Sequence, residues 1–96
     1  MNVVWTPTAY NSLQEILDYL QEHWNTKIAM DFLDLVHQHI RLIASNPEMF
    51  PISKYDSQSR AAVLTKHITL FYRVIGNILE IELFWNNLRD PKNVSG

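Results

Sequence analysis

The chain has 96 residues, 47% apolar and 19% charged, with two Gly, four Pro and a net charge of −2; this suffices for one hydrophobic core, not for two ordinary domains, and excludes a disordered chain. Cysteine is absent, which excludes disulfide frameworks, thiolate metal sites and cysteine nucleophiles and is compatible with a reducing cytoplasm. Through Glu48 two basic residues (Lys27, Arg41) stand against six acidic ones, and from Met49 onward six basic against four acidic, so a bound polyanion is expected to meet the C-terminal half.

Asn2 to Trp5 reads as a short apolar strand ended by Thr6-Pro7, where Thr6 caps a helix and Pro7 suits its first turn. The opening MNVVWTPT has neither a basic n-region nor an extended apolar run, so no signal peptide or membrane span is expected. Ala9, Leu13, Ile16, Leu17, Leu20 and Trp24 then recur at the spacing of one helical stripe. Asn25-Thr26 interrupts the pattern, and Ile28, Ala29, Phe32, Leu33, Val36, Ile40 and Ile43 form a second stripe that runs to Asn46-Pro47. Helices joined by so short a link form an antiparallel hairpin. Asn46 to Gln58 has no period and reads as a loop, anchored to the core by Met49 and Phe50.

Three strands close the chain: Arg60 to Lys66, Ile68 to Ile75 and Ile78 to Trp85. Gly76-Asn77 is the signal for a two-residue type I′ or II′ turn, and Lys66-His67 is read as a second tight turn. The order β-α-α-β-β-β predicts a single α+β domain over residues 1–96. Its N-terminal strand joins a three-stranded antiparallel meander, and both helices lie on one face of the sheet.

If the Gly76-Asn77 turn sets the register, Leu70, Tyr72, Val74, Leu79, Ile81 and Leu83 face a core. Thr69, Phe71, Arg73, Glu80, Glu82 and Phe84 then share the face without helices. Arg60 is expected opposite Arg73, so that Arg60, Arg73 and Glu80 line up across three strands. Arg73 opposite Glu80 has the geometry of an ion pair that stabilises a sheet, while the row of charges is also suited to an anion or an RNA strand. Glu80 and Glu82 suit salt bridges or a basic partner. Phe71 and Phe84 on an uncovered face imply that another segment covers it, either the residues after Arg89 or a separate chain. Trp5, Trp24 and Trp85 are read as core or rim anchors. The four His, at 23, 37, 39 and 67, do not have metal-ligand spacing, and no phosphate loop or nucleophile elbow is present. No metal or cofactor is expected.

Taken in order, VVWTPTAYNSLQEILDYL, IAMDFLDLVHQHI with its Pro-containing loop, LFYRVIGNILEIELFW and the closing NNLRDPKN resemble the RelE/ParE toxins of bacterial type II toxin-antitoxin systems. The resemblance implies a small cytoplasmic toxin held inactive by a cognate antitoxin that wraps it. The family divides between members that cut messenger RNA on the ribosome with scattered Lys, Arg and Tyr residues and members that poison DNA gyrase.

Arg60 matches a basic position common in the family, and Tyr72-Arg73 its Tyr-Arg pair. In the tail the usual Arg position holds Leu88, and the charge stands at Arg89. For a nuclease, the candidate catalytic residues are therefore Arg60, Arg73 and Arg89; for a partner surface they are Phe71, Arg73, Glu82 and Phe84. The sparse basic equipment leans the reading toward a gyrase-directed or other non-nuclease toxin, with an mRNA endonuclease and an inactive binding module as alternatives. Arg60 is expected to matter more for toxicity than for stability.

Overall fold

The computed structural model describes residues 1–87. Its elements follow the expected order: β1 (Asn2–Trp5), α1 (Pro7–His23), α2 (Thr26–Ser45), β2 (Arg60–Thr65), β3 (Ile68–Ile75) and β4 (Ile78–Asn86). The four strands form one mixed sheet in the order β1-β4-β3-β2, with β1 parallel to β4 and the other two pairings antiparallel.

Local chemistry sets the element ends. The Thr6 side chain accepts the Ala9 N–H at 2.9 Å, with Pro7 in the first turn of α1. Asn25 caps α2 by accepting the Ile28 N–H at 2.9 Å. The second helix stops at Ser45, one residue before the Asn46-Pro47 step, whose ring disfavours helical backbone at Asn46. Gly76 has φ +60, and it alone among the described residues has positive φ, the pattern of a type II′ turn with Gly first.

The helices cover one face of the sheet. Ile16 of α1, Val36 and Ile43 of α2, and Leu70, Tyr72, Leu79 and Ile81 of the sheet are almost wholly sealed from water. Each such side chain contributes about 1.5–3 kcal/mol by burial, and truncating Ile81 to Ala would cost about 2–5 kcal/mol.

Two registers depart from simple alternation. In the β3–β4 hairpin Tyr72 pairs with Ile81 as expected, but Phe71 pairs with Leu83 and Leu70 with Phe84, leaving Glu82 as an extra residue in β4. Beyond that bulge the faces exchange. Phe84, expected on the open face, is 3% exposed and stacks at 5.5 Å on Trp5 in the core, while Leu83 and Trp85 take the open face. The backbone groups displaced by the bulge are bonded from the start of α1. Thr6 Oγ1 donates to the Glu82 carbonyl at 2.6 Å, and Ser12 Oγ accepts the Phe84 N–H at 2.9 Å.

The second bulge lies at Leu64 in β2, between the pairs Val63–Thr69 and Thr65–Ile68. It sets Arg60 opposite Tyr72 in place of the expected Arg73, on the helix side of the sheet. Three apolar anchors also differ from expectation. Trp24 ends outside the helical geometry as the C-cap of α1 and is 69% exposed, Met49 is exposed, and Trp85 is 54% exposed; Phe50 and Trp5 do pack on the core.

The Thr6 side chain thus caps α1 and bonds the bulge at once. Thr6→Ala is expected to cost about 1–2 kcal/mol and lower the thermal midpoint by roughly 5–10 °C, whereas Thr6→Ser keeps most of the stability. Thermal unfolding followed by circular dichroism checks this, and an unchanged midpoint for the Ala variant would contradict the double role.

Candidate functional site

The face of the sheet opposite the helices carries a cleft of about 700 Å³ lined by Ser53, Tyr55, Asp56, Ser59, Thr69, Phe71, Glu82, Leu83, Trp85 and Asn87. Its floor is the paired segment of β3 and β4 around the Glu82 bulge. One wall is the loop before β2, and that wall is built from short-range polar contacts. Asp56 Oδ1 accepts the Gln58 N–H at 2.9 Å, the Asp56 carbonyl accepts the Ser59 N–H at 3.1 Å, and Ser53 Oγ accepts the Tyr55 N–H at 3.0 Å. Ser53 N–H to the Ser59 carbonyl, at 2.8 Å, closes the loop.

At the base of the wall four side chains share charge. Arg73 Nη2 lies 2.8 Å from Asp56 Oδ2 and 3.3 Å from Glu82 Oε2. Ser59, 4% exposed, reaches Glu82 Oε1 at 2.5 Å and Asp56 Oδ2 at 3.1 Å, so one hydroxyl proton faces two carboxylates. Arg73 Nε is buried and has no acceptor among the described residues. The Asp56 carboxyl is held below its ordinary value of 3.8 by the Gln58 N–H, then by the Ser59 hydroxyl, with a smaller contribution from Arg73. Glu80 sits across the ladder from Arg73 but takes no ion pair among the described residues. This part of the face therefore holds three carboxylates against one guanidinium. Aromatic surface adjoins it: Tyr55, 88% exposed, meets Phe71 edge-on at 6.4 Å, and Trp85 lines the same cleft.

The expected site residues are therefore divided. Phe71, Arg73 and Glu82 come together on the open face, although Arg73 pairs with Asp56 and Glu82 and not with Glu80. Phe84 is in the core. Arg60 points to the other side, donating from Nη1 to the Phe50 carbonyl at 2.8 Å and to that of Glu48 at 3.5 Å. Beside it the Tyr72 hydroxyl donates to the Pro47 carbonyl at 2.6 Å, and burial pushes its pKa up against the opposing effect of Arg60. These two side chains tie the loop after α2 to the sheet. Leu88 and Arg89 lie outside the described residues.

Asp56, Ser59, Tyr55, Leu83 and Trp85 were not singled out for the cleft by sequence reasoning. The run Asp56-Ser57-Gln58-Ser59 does carry the composition of an Asx turn, which is the local part of the wall. Among the described residues no group of three His, Asp or Glu side chains is placed to hold a metal ion, and no helix is long and apolar enough to cross a membrane.

The family model described as ParE toxin of type II toxin-antitoxin system, parDE, matches residues 3–91. Among solved structures the chain is similar to one from the chromosomal ParDE TA system of P. aeruginosa, with a TM-score of 0.76 and 18% identity over 90% of this chain and 95% of that one. It is also similar to the YoeB/ParE toxin from Agrobacterium tumefaciens, at TM-score 0.67 and 17% identity over 90% and 98% of the two chains. A chain of the E. coli DinJ-YafQ complex follows the same fold at TM-score 0.62 and 10% identity, over 94% and 97%. At such identities the likeness to these structures is one of fold. No curated protein sequence matches the chain.

Arg60 acts as a clasp on the 46–52 loop. Arg60→Ala is accordingly expected to destabilise the chain by about 1–2 kcal/mol, read as a lower thermal midpoint, in contrast to the expectation from sequence. For Asp56 the folded pKa lies below the unfolded one, so its contribution is present above the ordinary value of 3.8 and is lost as pH falls through the depressed folded value. Midpoints of the wild type and Asp56→Asn should differ near neutrality and converge in acid; a gap that does not change with pH would refute the assignment.

Proposed function

The chain belongs to the ParE toxin family of type II toxin-antitoxin systems, and from that premise we propose that it arrests growth by acting on DNA gyrase, without cutting messenger RNA. In this reading a cognate antitoxin neutralises it by covering the open face of the sheet.

The observation that carries the reading is the sequestration of Arg73. A nuclease that works on ribosome-bound message holds a phosphate backbone with free Lys and Arg side chains, and each contact neutralises a phosphate. Here the guanidinium on the open face is already bonded to Asp56 and Glu82, with Glu80 adding a third negative charge. That field repels RNA. Arg60, the other basic candidate among the described residues, is bonded to loop carbonyls on the opposite side. With the nuclease branch of the family so poorly equipped, the gyrase branch is favoured.

The antitoxin surface follows from apolar exposure. Val4, Val63, Ile75, Ile78 and Trp85 are exposed, and register places them on the face that the helices leave open. Ile75 and Ile78 lie at the hairpin end with Val4 near them, while Val63 and Trp85 lie beyond Arg73, Glu80 and Glu82. A partner that covers both groups spans the charged cluster. The similar P. aeruginosa chain comes from a ParDE system and the E. coli one from a DinJ-YafQ complex.

Inducing the chain alone in bacteria should stop growth and generate gyrase-linked DNA breaks, while primer extension on a reporter message finds no new ends. Codon-specific cuts within minutes would instead make it an mRNA endonuclease, and unimpaired growth would make it a binding module. Replacing Phe71 and Trp85 together by Ser should weaken antitoxin binding at least about tenfold with the circular dichroism spectrum unchanged.

A further inference from the structure

The cleft has a chemistry more specific than an apolar docking face. Its 700 Å³ fall within the span of about 300–1,000 Å³ typical of sites that enclose a ligand. Phe71, Leu83 and Trp85 supply an apolar floor and rim, and Tyr55 stands over it with its ring in the open. At the polar end the carboxylates of Asp56 and Glu82 share a single serine proton and one guanidinium, and these four groups together carry one net negative charge. Glu80, across the ladder from Arg73, adds another.

Two planar recognition elements thus meet in one cavity: carboxylate oxygens with unused lone pairs, and aromatic faces. Arginine satisfies both, because its guanidinium forms parallel hydrogen bonds to carboxylates and stacks on rings. An anion satisfies neither, and a purely aliphatic side chain would leave the carboxylates desolvated without a partner. We infer that the protein segment seated in this cleft inserts an arginine, flanked by apolar residues, toward Asp56 and Glu82. This rests on the reading of the open face as a partner surface, and it assigns that partner its key side chain: the antitoxin segment here is basic where it meets the cleft.

The probe is the acetylated, amidated pentapeptide Val-Leu-Arg-Leu-Thr, compared with the same peptide carrying citrulline, a neutral isostere, in place of Arg. Both are titrated into the full isotope-labelled chain. The Arg peptide is expected to shift the Trp85 indole and the Thr69 and Phe71 amides while leaving the exposed Trp24 indole still. It should bind at least about tenfold more tightly than the citrulline peptide. Raising salt from about 50 to 500 mM should erode the difference. Glu82→Gln keeps the shape of the side chain and should reduce the preference to less than about threefold; should that variant not fold, Asp56→Asn and the salt series on the unaltered chain make the same measurement.

Equal binding of the two peptides, shifts confined to the helices, or no saturation would overturn the assignment. So would a gain of about tenfold in affinity on removing residues 88–96, which would make the chain's own tail the occupant. Failure of the underlying partner-surface reading is registered separately, as full antitoxin binding by the chain with Ser at positions 71 and 85.

Discussion

One extra residue in β4 organises this molecule. With Glu82 unpaired in the ladder, the strand changes faces between Ile81 and Leu83, and Phe84 closes the core that Ile81 and Leu79 begin. A bulge alone would leave backbone groups without partners, at a cost comparable to lost hydrogen bonds. Thr6 and Ser12 supply them, so the first turns of α1 are fastened to the middle of the last strand. Thr6 also starts the helix, which links the entry of the chain into α1 to the same point. Sheet register, helix position and core closure are in this sense one structural decision.

The site is a by-product of that decision. The bulge brings the Glu82 carboxylate to Arg73 and Ser59, and the Asx-turn loop adds Asp56 from above. Arg73 therefore lies in a negative field and serves as a strut between two strands and a loop. Surface ion pairs of this kind contribute little to stability. Their consequence here is electrostatic: they cancel the one positive charge that this part of the face would otherwise present. One fold can host unrelated activities, so the charges on such a face, and not the architecture, are where a difference in target would be written.

The elements were legible in the sequence because their signals are local. Helical spacing from Ala9 to Leu20 and from Ile28 to Ile43, the caps at Thr6 and Asn25, and Gly76-Asn77 between alternating apolar residues each follow from nearby chemistry. The two bulges were not legible. Leu83-Phe84-Trp85 offers large apolar side chains to both faces, so pattern alone does not say where alternation slips; contacts from Thr6 and Ser12, 76 and 72 residues away in sequence, decide it. The extra residue at Leu64 likewise carried Arg60 to the helix side, where it bonds to carbonyls that no sequence period marks. Trp24 fits the apolar spacing of α1, but helical geometry has ended at that residue and the spacing no longer specifies its direction. Phe71 and Arg73 share the open face as alternation predicts, because the extra residue lies in β4 and leaves the alternation of β3 intact, and Glu82, the extra residue itself, keeps its carboxylate on that face.

The exchange of faces at Glu82 also determines how the protein will look to light. Of its three indoles, Trp5 rests against Phe84 on the core, while Trp24 at the end of α1 and Trp85 on the open face of the sheet are both largely exposed to water. Emission from the free chain is thus a mixture of one shielded and two wet fluorophores. A Trp24→Phe chain would retain one of each, with the wet one at the mouth of the cleft. Occupancy of that face would then be visible as a blue shift of intrinsic fluorescence, in a protein that has provided its own optical reporter.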